Sequence, residues 1–545
     1  MPSSLSVVWF KRDLRIDDHR PLALAATRGP LIALYVYEPS LLATPEFDAS
    51  HLVFINQCLS ELDAELRRRG VALTLRRGEV VEVLRTLRRS HRFDTLWSHE
   101  ETGNRVTFDR DIAVGRWCQA NAVAWTEVPQ HGVIRRLKTR DGWARRWAER
   151  MTEPVAVVPS RLAGPREPDP KHLLTARDCG LPDSTLRDAQ PGGESAATAT
   201  LDSFLALRGI DYQKAMSSPR TAFDSCSRLS THLAWGSISM RRVAQTAAAR
   251  AVEIRELREA NAPIDPRWSA SLRSFQGRLR WHCHFMQKLE DEPRIEFENF
   301  SHAYDGLRDE AWVDSISGAA RFAAWQRGET GYPMVDACMQ ALQRCGWINF
   351  RMRAMLVSFA SYHLWLHWRP TSVFLARTFL DFEPGIHFSQ FQMQSGTTGI
   401  NTIRIYSPAK QVLDHDPQGE FIRRELPVLA RVPARWLAEP HRMPLSVQRE
   451  AGCIIGRHYP APIVEHVTAW REAREKIAAI RRDPATRDEA HAVQVRHGSR
   501  KSGLPQSARG ARGGRKKAGA AAMQTSLWDE VHLAAPVPAD PQARR

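Results

Sequence analysis

The sequence has no two cysteines at metal-ligand spacing. Its eight cysteines, Cys58, Cys118, Cys179, Cys226, Cys283, Cys338, Cys345 and Cys453, include no CxxC pair, which excludes a zinc ribbon, a disulfide framework and the usual iron–sulfur cradle. They read as small buried hydrophobes, and no metal is expected. Long apolar runs are missing as well. Nothing approaches the ~20 residues of a membrane span, and the short run Val7 to Phe10 meets charge at once, so a signal-peptide core is not indicated. The expectation is a soluble, cytoplasmic protein. No GxGxxG follows that first apolar run, so a conventional dinucleotide fingerprint is unsupported there. Tyrosine is scarce, with 8 residues against 17 tryptophans. Tryptophan can pack a core, stack a ring or relay an electron.

What is present is a chain of 545 residues, 43% hydrophobic and 25% charged, long enough for two to four domains with large cores. Lysine and arginine number 77 against 61 acids, a net charge of +16 that suggests an anionic partner. Half of the excess lies between Arg496 and Lys517, which holds eight basic residues and no acid. Rich in Gly, Ser and Ala, that stretch reads as a disordered basic arm with salt-sensitive nucleic-acid affinity or as a solubilising extension.

Apolar strand-like runs at Val7 to Phe10, Leu31 to Tyr37, Ala72 to Leu75, Thr95 to Trp97 and Val123 to Trp125 alternate with amphipathic segments. Ala49 to Gly70 is one, with Leu52, Ile55, Leu59, Leu62 and Leu66 at helical spacing. Such alternation predicts an α/β domain with a doubly wound parallel sheet over residues 1–135. A Pro-, Gly- and Asp-rich connector covers 136–201. Helical periodicity then predicts an all-α domain over 202–482, followed by a disordered basic tail over 483–545.

Six segments carry a resemblance when read in order. They are VVWFKRDLRIDDHRPLALA at the start, SRLSTHLAWGSIS at Ser227 to Ser239, RLRW at Arg278 to Trp281, WQRGETGYPMVDACMQAL at Trp325 to Leu342, GWINFRMR at Gly346 to Arg353, and RIYSPAKQVLDHDPQGEFIRRELPVL at Arg404 to Leu429. Together they resemble the photolyase/cryptochrome family. The resemblance implies an N-terminal antenna domain and a helical C-terminal domain that binds FAD. A second chromophore of folate, deazaflavin or flavin type belongs to the same antenna fold.

Read alone, SRLS is a capped helix start. With the resemblance, Cys226, Ser227, Arg228, Leu229 and Ser230 look like a phosphate cradle, and Tyr212, Phe275, Arg278 and Trp281 look like further flavin contacts. Arg353 and Asp381, surface ion-pair members on their own, match the pair beside the isoalloxazine ring, and Phe382 and Glu383 extend that run. His387 stands where the family faces flavin N5. It reads either as a redox-tuning group or as a structural histidine bonded to a backbone carbonyl.

The family's tryptophan relay is matched at its middle member, Trp368. Its proximal and distal positions fall on Phe391 and Ser315, while Trp312 and Trp365 read as another route or as core packing. Trp281 matches the tryptophan against which a flipped base stacks, and Asn349, Phe350 and Arg351 lie at the expected DNA contact. Here the pocket departs from the family: Arg278 replaces a glutamate, the amide of Asn349 sits one place early, and Ala354 replaces a methionine. The resemblance implies a monomeric DNA photolyase that splits pyrimidine dimers by light-driven electron transfer from reduced FAD. A cryptochrome-like photoreceptor is the alternative.

Overall fold

A computed structural model describes residues 5–165 and 173–499; the basic stretch from Arg500 and part of the connector lie outside the described residues. Five parallel strands, β1 (Ser6–Phe10), β2 (Leu31–Tyr37), β3 (Leu73–Arg77), β4 (Thr95–His99) and β5 (Ala124–Val128), form one sheet in the order β3-β2-β1-β4-β5. Ser6 pairs with Leu31 on one side and Thr95 on the other. Every residue of β1 and β2 is buried, because crossover helices cover both faces of a parallel sheet and leave no place for alternation. Those helices are α1 (Arg20–Arg28), α2 (Ala49–Arg68), α3 (Val80–His91) and α4 (Arg105–Ala120). Asp48 starts α2 through a reciprocal cap with His51. Strand order reverses between β1 and β4, so a crevice opens at the carboxyl ends of these strands.

Beyond residue 202 no named strand occurs among the described residues, in agreement with an all-α domain. Two boundaries need correction. The connector is partly structured: α5 (Trp143–Thr152) buries Trp143, Trp147 and Met151 in the apolar cluster that holds Phe275 and Leu279 of the helical domain. The helical domain also continues past residue 482. After α6 (Ser230–Trp235), α7 (Arg267–Asp291), α8 (Phe350–Ser358), α9 (Trp368–Thr378), α10 (Pro384–Ser395) and α11 (His466–Arg482) comes α12 (Pro484–His497). Val493 of α12 packs on Leu289, Ile295 and Phe300. Glu489 accepts hydrogen bonds from the Ser301 hydroxyl and from the N–H groups of His302 and Ala303. Composition marked this segment as tail because α12 buries a single apolar face; Glu489 and His497 supply the rest of its attachment.

No described helix is long and apolar enough to cross a membrane. One buried cluster, Asp13, His19 and His99, has metal-ligating residue types. Asp13 Oδ2 accepts from His19 Nε2 at 3.0 Å and His99 Nδ1 at 2.7 Å. His19 Nδ1 accepts the Leu22 N–H, so its Nε2 carries the hydrogen and offers no lone pair to a cation. The cluster instead ties the ends of β1 and β4 to the start of α1.

Candidate functional site

The residues expected around the flavin come together from four parts of the helical domain. At the first, Leu229 is the N-cap of α6 and no side chain caps the helix. Ser227 Oγ is 3.5 Å from the Leu229 N–H, while Ser230 Oγ accepts from Trp347 Nε1 at 3.2 Å. Arg228 adopts φ +61°, a left-handed conformation uncommon outside glycine, and its guanidinium lies 4.0 Å from the Trp347 ring. It forms no salt bridge among the described residues, and burial, opposed in part by the charges of Cys345 and Asp381, lowers its pKa. Thr231 Oγ1 is buried without a partner among the described residues. A cation without a salt bridge, an uncapped helix start and an orphaned hydroxyl form a donor set suited to a diphosphate. Thr231 was missed in the sequence, although it extends the SRLS run by one residue.

Behind this loop, Tyr212, Phe275, Cys226 and Leu229 share one apolar cluster. Tyr212 meets Phe275 edge to face at 5.9 Å, and burial pushes the Cys226 thiol up to about 12. These are wall residues rather than polar contacts.

The third part is the charge pair. Arg353, on α8, donates to both carboxylate oxygens of Asp381 at 2.9 and 2.7 Å, and its Nε donates to the Ile348 carbonyl. The guanidinium also stacks 4.1 Å from Phe379. Such a two-pronged clamp fixes the plane of both groups. Next to it, Glu383 lies 3.9 Å from Arg12 of the α/β domain, and burial, opposed by Arg12, raises its carboxyl to about 7. Arg12 donates to the Phe382 carbonyl as well. No local motif in the sequence joined Arg12 to this site.

His387, on α10, donates from Nε2 to the Ser372 carbonyl at 2.9 Å. Burial drives its pKa down to about 3, so the ring is neutral and Nδ1 is an acceptor. Both readings of this histidine therefore meet in one geometry: the carbonyl bond fixes the tautomer, and the tautomer fixes what the other nitrogen offers. Phe391 packs against it at 4.6 Å. Trp368 is buried and donates to Asn299 Oδ1 at 2.8 Å. Ser315 caps the following helix through the Gly318 N–H, a structural role with no redox content.

On α7, Trp281 is half-buried, with one face stacked on Phe285 at 5.6 Å and 27°. Arg278 lies one turn away, its Nη2 3.8 Å from Met216 Sδ. His282, unremarked in the sequence, has Nδ1 buried without a partner and a pKa held at about 4 by burial against the opposing charge of Asp381. The expected DNA contact at Asn349 is not met. That side chain is 2% exposed, and its amide donates to the Met216 and Ser217 carbonyls. Phe350 and Arg351 remain half-buried.

Two family models match the chain: DNA photolyase over residues 6–154 and the FAD binding domain of DNA photolyase over residues 275–479. Between them they take in more than half of its length. The chain belongs to the photolyase/cryptochrome family. Its photolyase/cryptochrome relatives are of both kinds. It is 28% identical over 496 residues to a deoxyribodipyrimidine photo-lyase of Agrobacterium fabrum, covering 87% of this chain and 98% of the relative. It is also 28% identical over 506 residues to cryptochrome-1 of Sinapis alba, covering 87% and 96%. Among solved structures, a bacterial class III photolyase from Agrobacterium tumefaciens superposes with a TM-score of 0.77 at 25% identity, over 89% of this chain and 99% of that one. FAD is therefore the cofactor of the helical domain, and the donor set around Arg228 and the Arg353–Asp381 clamp fit it.

Proposed function

We propose that this protein is a light-dependent DNA repair enzyme that splits pyrimidine dimers. The observation that carries the reading is Trp281, half-buried, stacked on Phe285 at 5.6 Å and meeting His284 edge to face at 5.0 Å. A base flipped from the duplex could stack there irrespective of sequence. FAD, when bound, supplies light absorption and the electron. The protein's own residues do the rest. Arg353 and Asp381 orient the ring, Ser227, Arg228, Ser230 and Thr231 hold the diphosphate, and neutral His387 presents an acceptor to flavin N5. Arg278, Phe350 and Arg351 border the lesion, and the two arginines hold phosphates of a single bound duplex without reading its bases. Arg278, a permanent cation, would stabilise negative charge on the dimer.

A second chromophore, if carried, belongs at the crevice at the carboxyl ends of β1, β2 and β4. A cavity of about 50 Å³ there is lined by Phe10, Tyr35, Trp235 and Phe382, with Lys11 and Glu38 at its edge. The aromatic walls suit a ring, which would have to widen the crevice to enter.

The second reading is a cryptochrome-like photoreceptor that binds FAD without repair. It is favoured by the interrupted relay, with Phe391 and Ser315 on either side of Trp368, and by the altered pocket at Arg278. One experiment separates the two. Photoreduced protein is mixed with dimer-containing DNA under blue light at low and moderate salt, and dimers are counted. Loss of dimers supports repair; unchanged dimers with full flavin reduction would sink it in favour of the receptor.

A further inference from the structure

We propose that Arg308, Tyr362 and Ser361 form a buried binding site for a small anion beneath Trp365, separate from the flavin pocket. The segment Phe359–His363 continues α8 as a π-helical turn, a widened geometry that recurs at functional sites. Its extra width turns consecutive side chains inward, and Ser361, Tyr362 and His363 are 0%, 1% and 2% exposed.

Arg308 reaches this turn from the preceding loop and is itself 4% exposed. Its Nε donates to the Ser361 carbonyl at 2.8 Å. The guanidinium lies 5.3 Å from the Tyr362 ring and 4.6 Å from the Trp365 ring. Arg308, Tyr362 and Ser361 each carry a buried polar atom with no partner among the described residues: Arg308 Nη2, the Tyr362 hydroxyl and Ser361 Oγ. All three can donate.

No described carboxylate forms a salt bridge with Arg308. Of the acids in its loop, Asp305 is engaged with His302 and Asn299 and Asp309 with the Ala311 N–H, while Glu310 is exposed to solvent. More positive charge gathers instead. Lys476 of α11 lies 4.4 Å from the Trp365 ring, and Arg481 donates to the Tyr304 hydroxyl and the Asn401 carbonyl. Burial without a counterion lowers the Arg308 pKa to about 10. Trp365, at φ +58°, closes the outer side in a conformation that costs an aromatic residue energy.

A buried guanidinium is tolerated when it is paired and its hydrogens are bonded. Water could satisfy the hydrogens but leaves the charge. An acceptor-only anion does both, taking N–H from Arg308 and O–H from Tyr362 and Ser361. The burial of all three residues favours a halide or a small oxyanion.

The test uses the full-length flavoprotein, with thermal unfolding followed at constant ionic strength in chloride, formate or inorganic phosphate against gluconate, which is too large to enter. Binding to the native state raises the midpoint with anion concentration. The midpoint is expected to climb with at least one small anion, and the one that acts identifies the size. Tyr362→Phe should raise the half-saturating concentration several-fold. Arg308→Met should abolish the response and, having lost an uncompensated charge, unfold no earlier than wild type in gluconate. An identical response in wild type and Tyr362→Phe, or no response to any small anion, overturns the site. If Arg308→Met does not fold, crystals soaked in bromide decide: an anomalous peak in contact with Arg308 supports the site, and none refutes it.

Discussion

Replacing Asp381 by Asn keeps the shape of the clamp and removes its charge. Asp381 is 2% exposed at the side chain and Arg353 is 23% exposed, so the substitution strands a guanidinium that water reaches only partly. Breaking a buried, doubly hydrogen-bonded pair from one side costs about 3–5 kcal/mol, and the partial exposure of Arg353 puts the expected loss near the lower figure. For the compact unit Met1–Ser499, at about 2.1 cal/mol/K per residue, that is a fall of roughly 3 °C in the unfolding midpoint. Flavin retention should fall with it, because the carboxylate also faces His282 and the ring site. Differential scanning fluorimetry and the flavin-to-protein absorbance ratio read both effects. Arg353→Met alone and the double variant complete the cycle, and the double variant should be more stable than the sum of the single losses. Zero coupling energy, or Asp381→Asn with wild-type midpoint and flavin content, would refute the clamp.

Trp281→Ala should lose affinity for dimer-containing DNA by about 1–3 kcal/mol while keeping FAD, measured by binding titration and flavin absorbance; lost flavin would make Trp281 a structural wall. His387→Asn introduces an amide that can donate as well as accept toward the ring site, and the flavin spectrum during photoreduction should then pass through a different one-electron species; an identical spectral course would remove His387 from redox control. Acid should destabilise the protein. Ten described histidines are held at about 3 or 4 by burial, below their unfolded value, so the unfolded chain takes up protons first as pH falls below ~6.5. Five buried acids raised to about 6 or 7 act in the opposite sense. The histidines prevail, and the midpoint should drop between pH 7 and 5; a flat profile would contradict the burial of these rings. Truncation after Ser499 should leave flavin content unchanged and flatten the salt dependence of undamaged-DNA binding, whereas an unaltered slope makes the arm a bystander. Cutting earlier, at Arg496, would remove contacts of Arg496 and His497 with Glu292 and confuse the two roles.

The sheet was legible because each strand is a short apolar run bounded by turn residues, and burial on both faces makes such runs continuous. Arg353, Asp381 and the SRLS loop were legible as motifs, each holding its chemistry within a few residues. Arg12 and Thr231 were not. Arg12 acts across 371 positions of sequence on Glu383, and no local pattern encodes that approach. Asn349 failed for the opposite reason. An amide near an expected position says nothing about which backbone carbonyls lie closer, and here Met216 and Ser217 claim it. The tail boundary failed because α12 is anchored mainly by polar contacts, which hydrophobic periodicity does not register.

Trp365 sits between two positive charges, Arg308 at 4.6 Å and Lys476 at 4.4 Å. Removing an electron from its indole would create a third positive charge in their midst. At an effective dielectric constant near 20, buried Arg308 at this distance opposes that charge by about 4 kcal/mol, and exposed Lys476 by less because water screens it. The ring is therefore a barrier to hole migration rather than an exit for it, despite lying three residues from Trp368. If Trp368 relays electrons to the flavin, this field disfavours Trp365 as their source, and an anion beside Arg308 would weaken the field.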